Sequence, residues 1–151
     1  MPHESRSTPR EIQNYLGRIS GPLLDRIDIH IEVPQVKFRE ITSARAGESS
    51  VDIRARVMTA RALQQKRFSG RKISCNARMG SRELKGFCEI SEDTLEMLKL
   101  AMTDMKLSAR AYDRIMKVAR TIADLGGSEK LTADHVGEAV QFRSLDRQLW
   151  S

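Results

Sequence analysis

The sequence predicts a mainly helical protein: a small helical bundle preceded by a short helix and one isolated β-strand. Three observations predict it. Aromatic residues make up only 5% of the 151 residues, while Leu, Ala and Met are frequent, a balance that favours helix over sheet. Three segments in the last third open with the same helix-start design. Strict alternation of apolar and polar residues, the mark of a half-buried strand, occurs in a single run.

The elements follow in chain order. Residues 1–7 are polar. Thr8-Pro9-Arg10-Glu11 has the form of a capping box, with Thr at the N-cap, Pro at the first helical position and Glu at the third. Ile12, Tyr15, Leu16 and Ile19 then recur at helical spacing, and Ser20-Gly21-Pro22 ends the helix. After Leu23-Leu24-Asp25-Arg26 the run Ile27-Asp28-Ile29-His30-Ile31-Glu32-Val33 alternates strictly and closes at Pro34, with His30 on the polar side. A lone strand leaves its N–H and C=O groups without a ladder and its apolar face without cover. The partners of this strand are therefore expected outside the chain, and the chain is expected to be a fragment.

Residues 35–50, with Gly47, Ser49 and Ser50, read as a linker. A helix is expected from Val51 to Phe68, with Val51, Ala55, Met58 and Ala62 as its apolar stripe. Residues 69–90 are broken by Gly70, Gly80 and Gly86, with a short helix near Ser81–Lys85. The repeated helix start then appears three times, as Ile90/Ser91/Leu95, Leu107/Ser108/Tyr112 and Leu131/Thr132/Val136. In each, a Ser or Thr N-cap is flanked by an apolar pair that can form a hydrophobic staple. The second of these helices is expected to stop at Gly126-Gly127. Short connections imply antiparallel neighbours. The organisation expected is residues 1–34 as helix, turn and strand, 35–50 as linker, and 51–151 as the helical domain.

Composition bounds the function. Charged residues form 30% of the chain and the net charge is +6, which suits phosphate, nucleic acid or another anionic partner without selecting one. Cys75 and Cys88 have neither metal-ligand spacing nor a histidine partner, as expected of reduced thiols in a soluble, cytoplasmic protein. No apolar run reaches membrane-spanning length. There is no GxxxxGK[ST] phosphate loop, no HExxH and no GxSxG, and His3, His30 and His135 are scattered, so no metal site is expected.

Three groups of cations are candidates for chemistry. Arg26 sits where the chain enters the strand; its guanidinium fork suits phosphate oxygens, while a surface pair with Asp25 or Asp28 is the simpler local reading. Arg110, Arg114 and Lys117 lie at i, i+4 and i+7 on one helix face. Arg110 falls at the positive end of the helix dipole, where a cation is misplaced unless an anion joins it. Asp113 can relieve part of that repulsion, so a solvated basic face and an anion site stand about level. The run Arg54, Arg56, Arg61, Lys66, Arg67, Arg71, Lys72 reads as a solvated helix face, because it lacks interleaved aromatics and any nucleic-acid signature.

The run Tyr15-Leu16-Gly17-Arg18-Ile19-Ser20-Gly21-Pro22-Leu23-Leu24-Asp25-Arg26-Ile27-Asp28 resembles the magnesium-chelatase-like AAA+ ATPases of the ComM/YifB competence-protein family. So do Leu107-Ser108-Ala109-Arg110-Ala111-Tyr112-Asp113-Arg114, continued to Leu125, and Ala139-Val140-Gln141-Phe142-Arg143, continued to Arg147. Family members tend to carry Cys-x-Cys just before the Thr/Ser-Pro helix start, where this chain has Ser5 and Ser7 ahead of Thr8-Pro9. The resemblance implies that residues 1–34 are the end of an AAA+ α/β core and 51–151 its helical lid. It implies that Arg26 is an arginine finger reaching ATP in a neighbouring subunit. It implies that Arg110, with Arg114 the weaker candidate, is a sensor-2 arginine reaching ATP in its own subunit. The full-length protein would then use ATP and Mg2+, neither expected on this fragment alone. It would assemble as a homo-oligomeric ring, a hexamer by analogy, and work on DNA. Two other readings stay open: a free-standing basic helical module that binds DNA or protein, and the motor subunit of a metal chelatase.

Overall fold

The computed structural model describes residues 8–18, 23, 26–34, 36 and 47–143. The order is α1 (Pro9–Leu16), α2 (Ser50–Arg67), a 3-10 turn (Asn76–Arg78), α3 (Ser81–Phe87), α4 (Glu92–Asp104), α5 (Ala109–Leu125) and α6 (Ala133–Gln141). The protein is mainly helical, as the sequence predicts.

Helix α1 starts on the expected box. The Thr8 N–H donates to Glu11 Oε2 at 2.7 Å, and the Glu11 N–H donates back to Thr8 Oγ1 at 3.3 Å. The helix ends at Leu16, earlier than expected, because Gly17 favours leaving a helix. Tyr15 is exposed.

Three of the later helices keep their expected caps. Ser91 Oγ accepts from the Thr94 N–H at 3.3 Å, and Ser108 Oγ from the Ala111 N–H at 3.2 Å. At α6 the Thr132 N–H donates to His135 Nδ1 at 3.1 Å, so a histidine does what Glu does at α1. Helix α5 ends where Gly126-Gly127 predicts. Gly127 adopts φ 68°, the Gly127 N–H bonds the Asp124 C=O at 3.2 Å, and the Ser128 N–H reaches back to the Ala123 C=O at 2.8 Å, a Schellman motif. Helix α4 ends the same way without glycine. Lys106 takes the left-handed position at φ 51°, and the Leu107 N–H bonds the Met102 C=O at 2.9 Å.

The core runs through α3 to α6. Leu98, Ile115, Met116, Ala119, Ala123, Val136 and Ala139 are buried, with Phe68 and Met79 closing one end. Phe68 meets Phe87 edge to face at 5.6 Å between centroids. Among the described residues no helix is long and apolar enough to cross a membrane.

Helix α2 corrects the sequence reading. Val51, Ala55, Met58 and Ala62, the expected apolar stripe, are all exposed. The packed face is Ala60 and Gln64, continued by Arg67 and Phe68, so only the C-terminal third of the helix meets the bundle. The stripe was missed because two of its positions are polar and owe their burial to hydrogen bonds. Gln64 Oε1 accepts from the Asn76 N–H at 3.2 Å.

The alternating segment 27–33 forms no ladder among the described residues. Its backbone meets the bundle through the His30 N–H, which donates to the Phe142 C=O at 2.8 Å, and through the Ile27 C=O, which accepts from Arg143. Within 27–33 only His30 is buried, while the expected apolar side, Ile27, Ile29, Ile31 and Val33, is exposed, as are Asp28 and Glu32. One strand with no second strand beside it cannot build a sheet, so burial follows the contacts the bundle offers. Most of the expected linker, residues 35 and 37–46, lies outside the described residues.

Candidate functional site

The candidate site grows from the N-terminal half of α5 and the segment that lies along it. Ser108 caps the helix and fixes its first turn. Arg110 follows in that turn and is exposed. Arg114 lies one turn further along the same face. Its guanidinium donates to the carboxylate of Asp28, which joins α5 to the alternating segment. Lys117, the third member of the face, donates to the Ala77 C=O at 3.3 Å. The basic face of α5 is therefore not uniformly solvated: Arg114 and Lys117 hold other parts of the chain, and Arg110 is exposed in the first turn.

Arg26 lies two residues before Asp28. Its N–H bonds the Leu23 C=O at 3.0 Å, closing a turn, and its side chain is exposed. Of the two local carboxylate partners considered for it, Asp28 is taken by Arg114, and Asp25 lies outside the described residues. The ion pair thus ties the segment that carries Arg26 to the helix that carries Arg110. Arg143, just past α6 and 1% exposed, adds a second tie by donating to the Ile27 C=O. Sequence reasoning did not single out Arg143, although it lies in the third run of family likeness.

Two exposed guanidinium groups beside a capped helix start have the chemistry to meet phosphate oxygens. No group of three His, Cys, Asp or Glu side chains gathers among the described residues.

At the other end of α5 is a polar cluster that the sequence did not reveal. Arg67 donates to both oxygens of Asp124, at 2.7 Å and 2.5 Å. Asn76 Nδ2 donates to Asp124 at 2.8 Å and to Thr121 Oγ1 at 3.1 Å. Arg120 Nε reaches Asp124 at 3.2 Å, and its terminal nitrogens donate to the Glu129 and Ser128 carbonyls. Burial alone would raise the pKa of Asp124, but its bonds to Arg67 and Asn76 hold it below its ordinary value. Arg67 belonged to the run read as a solvated face and is instead built into the α2–α5 junction. Arg71 lies over the Phe87 ring at 5.1 Å from its centroid. Arg54, Arg61, Lys66 and Lys72 remain on the surface.

An open cleft of about 900 Å³ borders this cluster, lined in part by Leu63, Lys66, Phe87, Ile90, Lys130 and Leu131. It lies at the C-terminal end of α5, away from Arg110. Cys88, also nearby, is buried, and desolvation pushes its thiol up to about 11 even with Arg120 and Arg67 close by. That position suits packing and not thiol chemistry.

Comparison with known proteins gives two family matches along the chain. Residues 47–143 match the family described as magnesium chelatase, subunit ChlI C-terminal, and residues 1–41 match magnesium chelatase, subunit ChlI. The competence protein ComM of Haemophilus influenzae is 38% identical over 146 residues, which cover 96% of this chain and 28% of that protein. YifB of Escherichia coli is 38% identical over 148 residues, 97% of this chain and 28% of its own length. An uncharacterised protein of Mycobacterium tuberculosis is 34% identical over 131 residues, 87% of this chain and 26% of its own. The chain thus spans less than a third of the length of the relatives it matches.

Proposed function

The chain belongs to the magnesium chelatase ChlI family, and from that premise we propose that it is the arginine-finger and lid portion of an oligomeric AAA+ ATPase. The observation that carries the proposal is the pairing of Asp28 with Arg114, which leaves Arg26 outward and sets its segment one helical turn from Arg110. Both arginines are exposed, both are held on ordered backbone, and both offer permanent charge to phosphate.

The division of labour is as follows. ATP bound elsewhere in the assembly supplies the phosphoryl group. Arg26 donates to its oxygens across a subunit boundary and stabilises the charge that spreads over them during transfer to water. Arg110, at the start of α5, binds and orients phosphate within its own subunit, helped by the helix dipole. ATP with Mg2+ and a homo-oligomeric ring are the partners this division requires. DNA processing is the work we assign to the hydrolysis, on the evidence of a similar protein named for competence. The exposed Arg54 and Arg61 also keep direct DNA contact by this chain as a second reading.

In the assembled ATPase that contains this chain, Arg26→Ala is expected to keep ATP binding and to lower turnover by about 10³-fold or more. Arg110→Ala is expected to weaken ATP binding by about tenfold, with assembly retained. Turnover and nucleotide affinity of each variant check both statements, and unchanged turnover in Arg26→Ala would overturn the finger assignment. Salt-dependent binding of duplex DNA by the chain alone would support the second reading.

A further inference from the structure

We infer that Asp28, Arg114 and Arg143 are positioning residues for Arg26: they clamp the segment that carries it to the helical bundle, so that bundle and finger move as one body. The inference rests on the finger reading of Arg26 given above.

Three contacts from two parts of the bundle converge on Ile27, Asp28 and His30. Arg114, from the middle of α5, bonds the Asp28 carboxylate. Arg143, from the end of α6, bonds the Ile27 carbonyl. The Phe142 carbonyl accepts from the His30 N–H at 2.8 Å. The contacts differ in kind: an ion pair, a charge-assisted bond to backbone, and a backbone–backbone bond. Arg143 is 1% exposed, and a buried guanidinium is costly unless its donors are engaged, so its bond to Ile27 is not an incidental surface contact.

The first residue held, Ile27, follows Arg26 directly. Adjacent Cα atoms are about 3.8 Å apart, so the backbone of Arg26 cannot leave the bundle without breaking the clamp. On the upstream side its N–H is tied into the turn with Leu23. The side chain alone is left to move. Arg114 is also one turn from Arg110, so any shift of α5 that moves Arg110 carries Asp28, and with it Arg26. A change felt at one arginine is therefore transmitted to the other through a single ion pair. Arg114 acts in this scheme through Asp28 and not by touching phosphate.

Charge reversal tests the clamp in two readouts. In this chain, Asp28→Arg and Arg114→Asp are each expected to speed hydrogen exchange at the His30 amide by about tenfold or more. The double variant, which restores the pair with its charges exchanged, is expected to return the exchange close to its original rate. In the assembled ATPase, the single variants are expected to lower kcat by about tenfold while leaving the KM for ATP within about twofold, and the double variant to recover most of kcat. Recovery by the double variant separates loss of the clamp from loss of folding. Unchanged exchange at His30 in the single variants would overturn the clamp. Faster exchange with unchanged kcat, while Arg26→Ala stops turnover, would overturn the positioning role and leave the finger reading standing. Full turnover in Arg26→Ala would remove both, and the exchange rates alone would then report whether the clamp exists as a structural feature.

Discussion

At the scale of single residues, the candidate site was half legible. Arg110 could be marked as a cation at the wrong end of a helix dipole, and Arg26 through the family resemblance, its local reading being a surface pair. Their partners could not. Asp28 and Arg114 are 86 positions apart, and nothing in local sequence says that the carboxylate next to Arg26 will choose an arginine on α5. The same blindness hid Arg67 and Asp124, 57 positions apart. Asp124 is 2% exposed and bonds Arg67, Asn76 and Arg120, so Asp124→Ala would leave two inward guanidinium groups without their carboxylate. The expected loss is about 3–5 kcal/mol, measured by urea unfolding. The sign with pH follows from the lowered pKa. Asp124 stabilises the fold at pH values above its ordinary carboxylate range, near 3.8, and that contribution drains away as pH falls below it through the native pKa. Asp124→Asn should therefore lower stability near neutrality and flatten the acid limb of the stability curve below about pH 4.

Among the elements, the helices with side-chain caps were legible almost to the residue. A cap is local chemistry: Ser91 needs only Thr94, and Ser108 needs only Ala111, to be recognised. Helix α2 shows the limit. Its existence followed from periodicity, but its packed face depends on Gln64 and Arg67 finding Asn76 and Asp124, which periodicity cannot express. The strand shows a second limit. Alternation in 27–33 reports which residues want cover, and the bundle offers that segment only one backbone carbonyl, from Phe142. The C-terminus of α4 yields a prediction of its own. Lys106 is the one non-glycine residue with positive φ among the described residues. Lys106→Gly removes the penalty of a side chain in the left-handed region and should stabilise the protein by about 1 kcal/mol. Thermal unfolding would show it as a raised Tm, and an unchanged or lowered Tm would refute it.

For the molecule as a whole, the mainly helical class could be read from composition and repeated helix starts. Among the described residues the buried apolar cluster runs from Phe68 to Ala139, and the family match to residues 47–143 encloses it. A chain reduced to 47–143 is therefore expected to unfold cooperatively, with Tm within about 10 °C of the 151-residue chain, since what it loses is the clamp around Ile27 and Asp28. Circular dichroism on heating checks this; loss of a cooperative transition would place part of the stabilising core in residues 8–34.

Leu107 has a consequence for chain length. Its N–H closes the end of α4 on Met102, and it directly precedes Ser108, the cap that opens α5. Three residues, Met105, Lys106 and Leu107, finish one helix and begin the next, with no slack between them. One inserted residue would rotate the first turn of α5 by about 100° relative to α4, carrying Arg110 and Arg114 off their side of the molecule. The arc between these two helices is thus a gauge of fixed length, and the direction in which the arginines face is set by counting residues as much as by packing.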